Sequence, residues 1–323
     1  MHASRKDKVS AAVPYTHGLN PIGHDCYAWF EPPGSWGLSN SGIVVAGDEV
    51  LIVDTQNDVP RARALRDAAQ EISHSCEVTT VVNTHSDGDH WFGNLMFPHA
   101  RIFATPETAA EIEKNERDPR HLRQAASGSG PALRDFLNWR AAMFDYTDWE
   151  PALPTDTFAT RTSLTVGNTQ VDLIPVGPAH TAGDAIVHVP DRNIVFAGDI
   201  IFHRSTPIVW TGPVTNCISA CEMILGLEPE VVLPGHGPVI PSSGVRDVRD
   251  YLSVVLDYAS ARFTAGDTPL EAFYKIDLGA YRLWAHSSRV YVTILAVYRE
   301  LEPGTWFLSF AEAMEMVLAN DAY

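Results

Sequence analysis

The chain has 323 residues, 45% of them hydrophobic and 10% aromatic, enough to bury a full core in one large α/β domain with additions. Its 40 acidic residues outnumber 23 lysines and arginines, for a formal charge of −17 at pH 7; with no basic segment interleaved with aromatics, nucleic acid is excluded as a partner. No apolar run reaches the length of a membrane span, and four cysteines without a Cys-x-x-Cys pair point to free thiols in the reducing cytoplasm.

Residues 1–8 are charged and residues 9–14 too short for a signal-peptide core, so a frayed cytosolic start is expected. Residues 42–54 read as two β-branched strands around a Gly47-Asp48 turn. Ala62, Leu65, Ala68, Ala69 and Ile72 form a helical stripe, and residues 78–83 return to strand. Residues 101–104 form another strand, and Pro106 opens a helix. The stretch to residue 160 is charged, then Ser/Gly-rich, then aromatic at Phe136, Trp139, Phe144, Tyr146 and Trp149. Residues 106–160 are read as a helical insertion, either a lid over a substrate pocket or a self-packed unit.

Strands follow at 163–166, 171–174, 185–189 and 193–196, with turns at Gly167-Asn168 and Asp191-Arg192, and a last one at 231–234. Cys217 and Cys221, at i,i+4 spacing, read as small apolar residues on a helix. From 245 the pattern is helical, over 245–263, 269–276, 287–301 and 307–318. Residues 1–244 are expected to form the main domain and 245–323 a C-terminal helical extension.

The chemistry concentrates in Thr84-His85-Ser86-Asp87-Gly88-Asp89-His90, directly after a buried strand, with His180, Asp199 and His236 further on, each at a strand end. Neutral imidazoles and carboxylates converging from several loops are what a pair of divalent cations requires. His85 and Asp87 face one side of an extended loop, Asp89 and His90 turn beyond Gly88, and Asp199 suits a bridging role. A water bridging two cations would become hydroxide near neutral pH and attack an ester, lactone, thioester or amide. Asp89 is the candidate proton shuttle for collapse of the intermediate. His203 and Arg204, shortly after Asp199, and Trp210 are candidates for substrate contact, whereas His286 reads as part of a helix cap. His17, His24, His99, His121 and His188 have no ligand-like context.

His85-x-Asp87-x-Asp89-His90, followed by His180, Asp199 and His236, resembles the metallo-β-lactamase superfamily over roughly residues 42–239. The resemblance implies an αββα four-layer sandwich with the metals at one edge of the two sheets. It implies one ion on His85, Asp87 and His180, a second on Asp89, His90 and His236, Asp199 shared, and Asp54 supporting the ligand loop. One position departs from the pattern: hydrolytic members usually carry histidine where this chain has Asp87. Three carboxylates against two dications leave less charge to acidify water and shift preference from zinc towards iron or manganese. Asp87 either ligates directly, holds a metal-bound water, or leaves its site weak. The expected protein is a cytoplasmic dinuclear hydrolase, with zinc, acting on a small molecule, a homo-oligomer being left open. A diiron redox enzyme of the same fold is the alternative, against which no flavodoxin-like segment follows, and a non-catalytic metal-dependent binding protein is the third.

Overall fold

The computed structural model describes residues 13–74, 76–114 and 118–321; the frayed start expected at residues 1–8 lies outside them. The first sheet has seven strands in sequence order, β1 (Gly18–Gly23), β2 (Cys26–Phe30), β3 (Ser41–Ala46), β4 (Glu49–Val53), β5 (Glu77–Val82), β6 (Arg101–Ala104) and β7 (Asp156–Thr157). The second has five, β8 (Thr162–Val166), β9 (Thr169–Pro175), β10 (Ala185–Val189), β11 (Ile194–Phe202) and β12 (Val231–His236), also in sequence order. The expected hairpin pairs Ala46 with Glu49 across Gly47-Asp48, with Gly47 at φ 65° as so tight a turn requires.

Strand alternation decides the layers. Val44, Leu51 and Val53 point inward and meet Val166, Leu173, Val187 and Phe196 of the second sheet. Their neighbours Ile43, Val50 and Ile52 point outward against Leu65 and Ala69 of helix α1 (Val59–Ile72). On the far side, Ile174, Ile186, Val195 and Val232 pack against the helices after β11. The expected αββα sandwich is therefore what the chain adopts. At about 1.5–3 kcal/mol for each fully buried Val, Leu or Ile, this double interior is the main stabilising term.

The remaining helices are α2 (Gly88–Trp91), α3 (Pro106–Lys114), α4 (Leu122–Ser127), α5 (Pro131–Met143), α6 (Val214–Gly226), α7 (Ser242–Thr264), α8 (Pro269–Lys275), α9 (Val290–Leu301) and α10 (Phe310–Asn320). Capping boxes at Thr268/Glu271 and Ser309/Glu312 start α8 and α10, which is why α10 begins three residues later than its apolar periodicity suggests. Cys217 and Cys221 sit buried on α6 as expected. Helices α6, α7, α8 and α9 share one core with the second sheet. Among the described residues, no helix is long and apolar enough to cross a membrane.

Candidate metal centre

Strands β4, β5 and β6 run parallel, so their carboxyl ends meet at one edge, as do those of parallel β11 and β12. Asp54 leaves β4 at φ 60°, residues 84–90 leave β5, and His236 ends β12. Asp199 lies inside β11, beyond a register shift at Gly198 (φ 50°). A Cβ on Gly198 would come within 2.8 Å of the Thr84 side chain, so glycine there lets the two sheets close at this edge. Hydrogen bonds then join the loops across the sheets: Ala185 N–H to Thr84 O at 2.8 Å and Asn40 N–H to Gly235 O at 2.7 Å. Asn40 Nδ2 also donates to Pro234 O and Gly237 O, fixing the loop that carries His236.

All seven expected ligand residues converge. Three groups of donor atoms lie within 4.8 Å of one another: His85, Asp87 and His180; His85, His90 and Asp199; and Asp89, His90 and His236. Asp199 lies between them, its Oδ2 at 3.5 Å from His180 Nε2 and 3.4 Å from His236 Nε2, its Oδ1 at 3.3 Å from His90 Nε2. Asp87 Oδ2 is 3.2 Å from His180 Nε2, so the short carboxylate does reach the first group. Asp89 Oδ2 is 3.4 Å from His236 Nε2 in the last.

The far side of each ring explains its orientation. Asp54 accepts Thr84 N–H and Thr84 Oγ1–H, both at 2.8 Å, and His90 Nδ1–H at 2.8 Å. Because the Thr84 hydroxyl donates to Asp54, it accepts from His85 Nδ1 at 2.9 Å. His180 Nδ1–H donates to Ile208 O at 2.7 Å. In their neutral form these three imidazoles therefore keep the proton on Nδ1, and the Nε2 lone pair faces inward. His236 is held by stacking on Phe202, with ring centroids 5.3 Å apart and planes 2° from parallel. His85 Nε2, His90 Nε2 and Asp199 Oδ1 are buried without a hydrogen-bond partner. Such orphaned lone pairs cost free energy unless a cation meets them, and hard and borderline divalent ions fit this N/O donor set.

Burial opposes charge on His85, His90 and His180. It prevails at His85, helped by His90, and holds that ring well below the ordinary histidine range. At His90 the carboxylates of Asp199, Asp54 and Asp89 outweigh burial and hold the ring well above it. At His180, burial is outweighed by the hydrogen bond to Asp87 and the charge of Asp199, which raise it to about 9. Asp199 is held well below the ordinary carboxylate range, the charges of His236, His90 and His85 overcoming its burial.

His203 and Arg204 lie apart from the donors, along a shallow cavity with Asp247, Tyr281 and Trp284. Trp210 N–H donates to His180 O at 2.9 Å, and its ring packs on Phe310 and near Trp36. Phe144, Tyr146 and Trp149 join Trp91 and Phe92 of the ligand loop in one buried cluster, while Trp139 stays exposed. His286, at φ 57°, precedes the short helical turn Ser287–Arg289 but caps nothing; it bridges Asp321 at 2.7 Å and Ser35 at 3.0 Å. Sequence reasoning missed Asp184, whose carboxylate accepts from Ala179 N–H, Thr181 N–H and the Thr181 hydroxyl and shapes the His180 loop. Its i,i+3 spacing from Thr181 was the available signal. It also missed Asn40, which fixes the loop carrying His236.

The pattern described as the Metallo-beta-lactamase superfamily matches residues 34–236. Curated relatives include the acyl-coenzyme A thioesterase MBLAC2 of Bos taurus, 26% identical over 211 residues, which take in 61% of this chain and 72% of that protein. Another is the 2,4-dinitroanisole O-demethylase subunit alpha of a Nocardioides species, 25% identical over 60% of this chain and 51% of that protein. Among solved structures, the inverting sec-alkylsulfatase Pisa1 from a Pseudomonas species superposes with a TM-score of 0.68 at 14% identity, covering 90% of this chain and 51% of that one. A metallo-beta-lactamase family protein from Thermus thermophilus gives 0.62 at 18% identity, covering 86% and 94%.

Proposed function

From the premise that this chain belongs to the metallo-β-lactamase superfamily, as one of its hydrolases, we propose that it is a dinuclear zinc enzyme cleaving ester or thioester bonds of small molecules in the cytoplasm. The observation that carries this reading is the convergence of seven donors with buried, unpartnered Nε2 atoms at His85 and His90 and Oδ1 at Asp199. His85, Asp87 and His180 would hold one ion, Asp89, His90 and His236 the other, and Asp199 both. Two bound dications would supply Lewis acidity and an acidified water.

The chain's own residues do the rest. Thr84, Asp54 and Ile208 O hold the rings through Nδ1 and leave Nε2 as the atom offered to the ions. Ser39 Oγ–H donates to Asp89 O at 2.6 Å and pins the backbone of that residue. Asp89 would then carry a proton to the departing oxygen or sulfur. Helices α3, α4 and α5 would form the lid, joined to the ligand loop through Phe144 and Trp149. Free thiols at Cys26, Cys76, Cys217 and Cys221 suit a reducing compartment. A thioester is supported by the activity in the name of the bovine relative.

The test is a metal count by mass spectrometry on anaerobically purified protein, followed by assays on aryl esters and acyl thioesters. Two zinc ions per chain with acyl hydrolysis are expected, and Asp87→Ala should lose one ion. Stoichiometric iron with an oxygen-sensitive mixed-valence signal in electron paramagnetic resonance would overturn the zinc hydrolase, and unchanged metal content in Asp87→Ala would remove that residue from the ligand set.

A further inference from the structure

Two arginines stand beside the metal centre without a carboxylate partner among the described residues. Arg289, at the start of α9, is 2% exposed, and its guanidinium makes one long hydrogen bond, to Ser205 Oγ at 3.4 Å. Its Nε is buried and unpartnered. The nearby Asp321 carboxylate is taken up by His286 at 2.7 Å and Ser288 at 2.9 Å. Arg140, on α5, also has a buried, unpartnered Nε and donates to Asn57 Oδ1 at 3.3 Å beside the Tyr146 hydroxyl. Neither arginine has a described carboxylate within ion-pair distance, whereas Arg61, Arg101, Arg120 and Arg249 each do.

Both guanidinium groups flank one aromatic wall. Arg289 Cζ lies 3.9 Å over the Trp36 ring and 5.9 Å from that of Phe202, which itself stacks on His236. Arg140 Cζ lies 6.0 Å from Phe136, and Phe136 is 5.5 Å edge-on to Trp36. The Asp89 carboxylate acts electrostatically on both arginines. The carboxylates near them act from beyond ion-pair distance and leave the guanidinium N–H groups incompletely bonded; a buried arginine without a direct counter-charge is destabilising unless an anion completes it, and its planar fork matches an oxyanion bidentately.

We propose that Arg140 and Arg289, joined by the Phe136–Trp36 pair, form the recognition site for an oxyanion carried by the substrate, so that the enzyme hydrolyses acyl compounds bearing a carboxylate, sulfate or phosphate group. Two dications against three carboxylates and a bridging hydroxide would leave the metal centre near neutral, so the two arginines would supply the positive field beside it. The inference rests on the dinuclear hydrolase reading for its chemistry, but the anion site itself is read from residues outside the ligand set.

Two measurements test it on metal-loaded protein. In the first, kcat/KM is compared for mono-4-nitrophenyl glutarate and for neutral 4-nitrophenyl butanoate. The wild type should favour the anionic ester at least tenfold, and Arg289→Met and Arg140→Met should each lower that ratio at least tenfold, chiefly through KM. Arg289→Lys should retain part of it. In the second, glutarate and inorganic sulfate are titrated calorimetrically into wild type and Arg289→Met at equal metal content, the two anions separating carboxylate from tetrahedral recognition. Arginine-dependent binding without hydrolysis of either ester would preserve the anion site and sink the hydrolase reading. Equal ester ratios in wild type and both methionine variants, or anion binding that does not change in Arg289→Met, would overturn the proposal.

Discussion

Asp54 illustrates how much one side chain outside the donor set decides. It accepts three hydrogen bonds, two from Thr84 and one from His90, and through Thr84 it also orients His85. Asp54→Asn replaces one acceptor with an NH2 group that, in either orientation of the amide, faces at least one existing donor. The expected result is a loss of about 10–100-fold in metal affinity, read by competition with a chromogenic chelator; unchanged affinity would refute the supporting role. Protons compete with metal at the same atoms. With His180 raised to about 9 and His90 held above its ordinary value in the metal-free protein, both rings must lose protons before they can ligate. Metal affinity should therefore rise with pH through the window from about 6.5 to 9; a flat profile in the same chelator competition would contradict it. In the metal-free chain, protonated His180 contributes stability that is complete below its unfolded value and lost as pH rises through about 9.

At the scale of elements, the approach of β11 to β12 depends on what is missing. A Cβ on Gly235 would fall 1.9 Å from Asp199 Oδ1 and 2.8 Å from Gly198 C. Gly235→Ala should cost about 1–3 kcal/mol and displace the carboxylate shared by the donor groups. Urea unfolding together with metal content would show it, and a fully loaded variant of normal stability would count against so close a contact between the two strands. The loop after β9 is held in a different way. Thr105 and Thr108 hydroxyls both donate to Gly183 O, at 2.7 and 2.8 Å, so β6 and α3 of the first sheet grip the segment that carries His180.

Across the whole molecule, the centre sits on the sandwich, and the two arginines beside it come from helical segments outside the two sheets. Arg140 stands on α5, and Arg289 directly precedes α9, beyond the segment that the family pattern matches. Helix α10 joins the two: Met314 and Leu318 pack on Leu133 and Phe136, and Glu315 accepts the N–H groups of Ala132 and Leu133 at 3.1 and 2.8 Å. Gly130 offers α5 no side-chain cap, so a carboxylate from another helix supplies it. Glu315→Ala should destabilise the fold by about 1 kcal/mol and raise amide exchange at the start of α5 before the sandwich opens. Exchange unchanged at Ala132 and Leu133 would dissociate the two helices energetically.

Much of this protein was legible from its chain. The alternation of residues 42–54, the glycine turn between them and the helical stripe after Arg61 are local properties, set by side chains adjacent in sequence, and they marked those elements, while the sandwich was implied by the family resemblance of the donor motif. The donor set was legible for the same reason, since His85, Asp87, Asp89 and His90 lie within six residues in a recognisable loop and His180, Asp199 and His236 in similar contexts. Only the tertiary structure decided that Asp87 reaches His180, that three rings present Nε2, and that His203 and Arg204 belong to another cavity. It alone placed Arg289 over Trp36 and Arg140 beside Phe136, which meets Trp36 edge-on. These outcomes depend on contacts such as Asn40 with Gly237 and Ser35 with His286, 197 and 251 residues apart. Spacing and periodicity carry no record of such pairs, because the packing of layers, not the order of residues, brings them together.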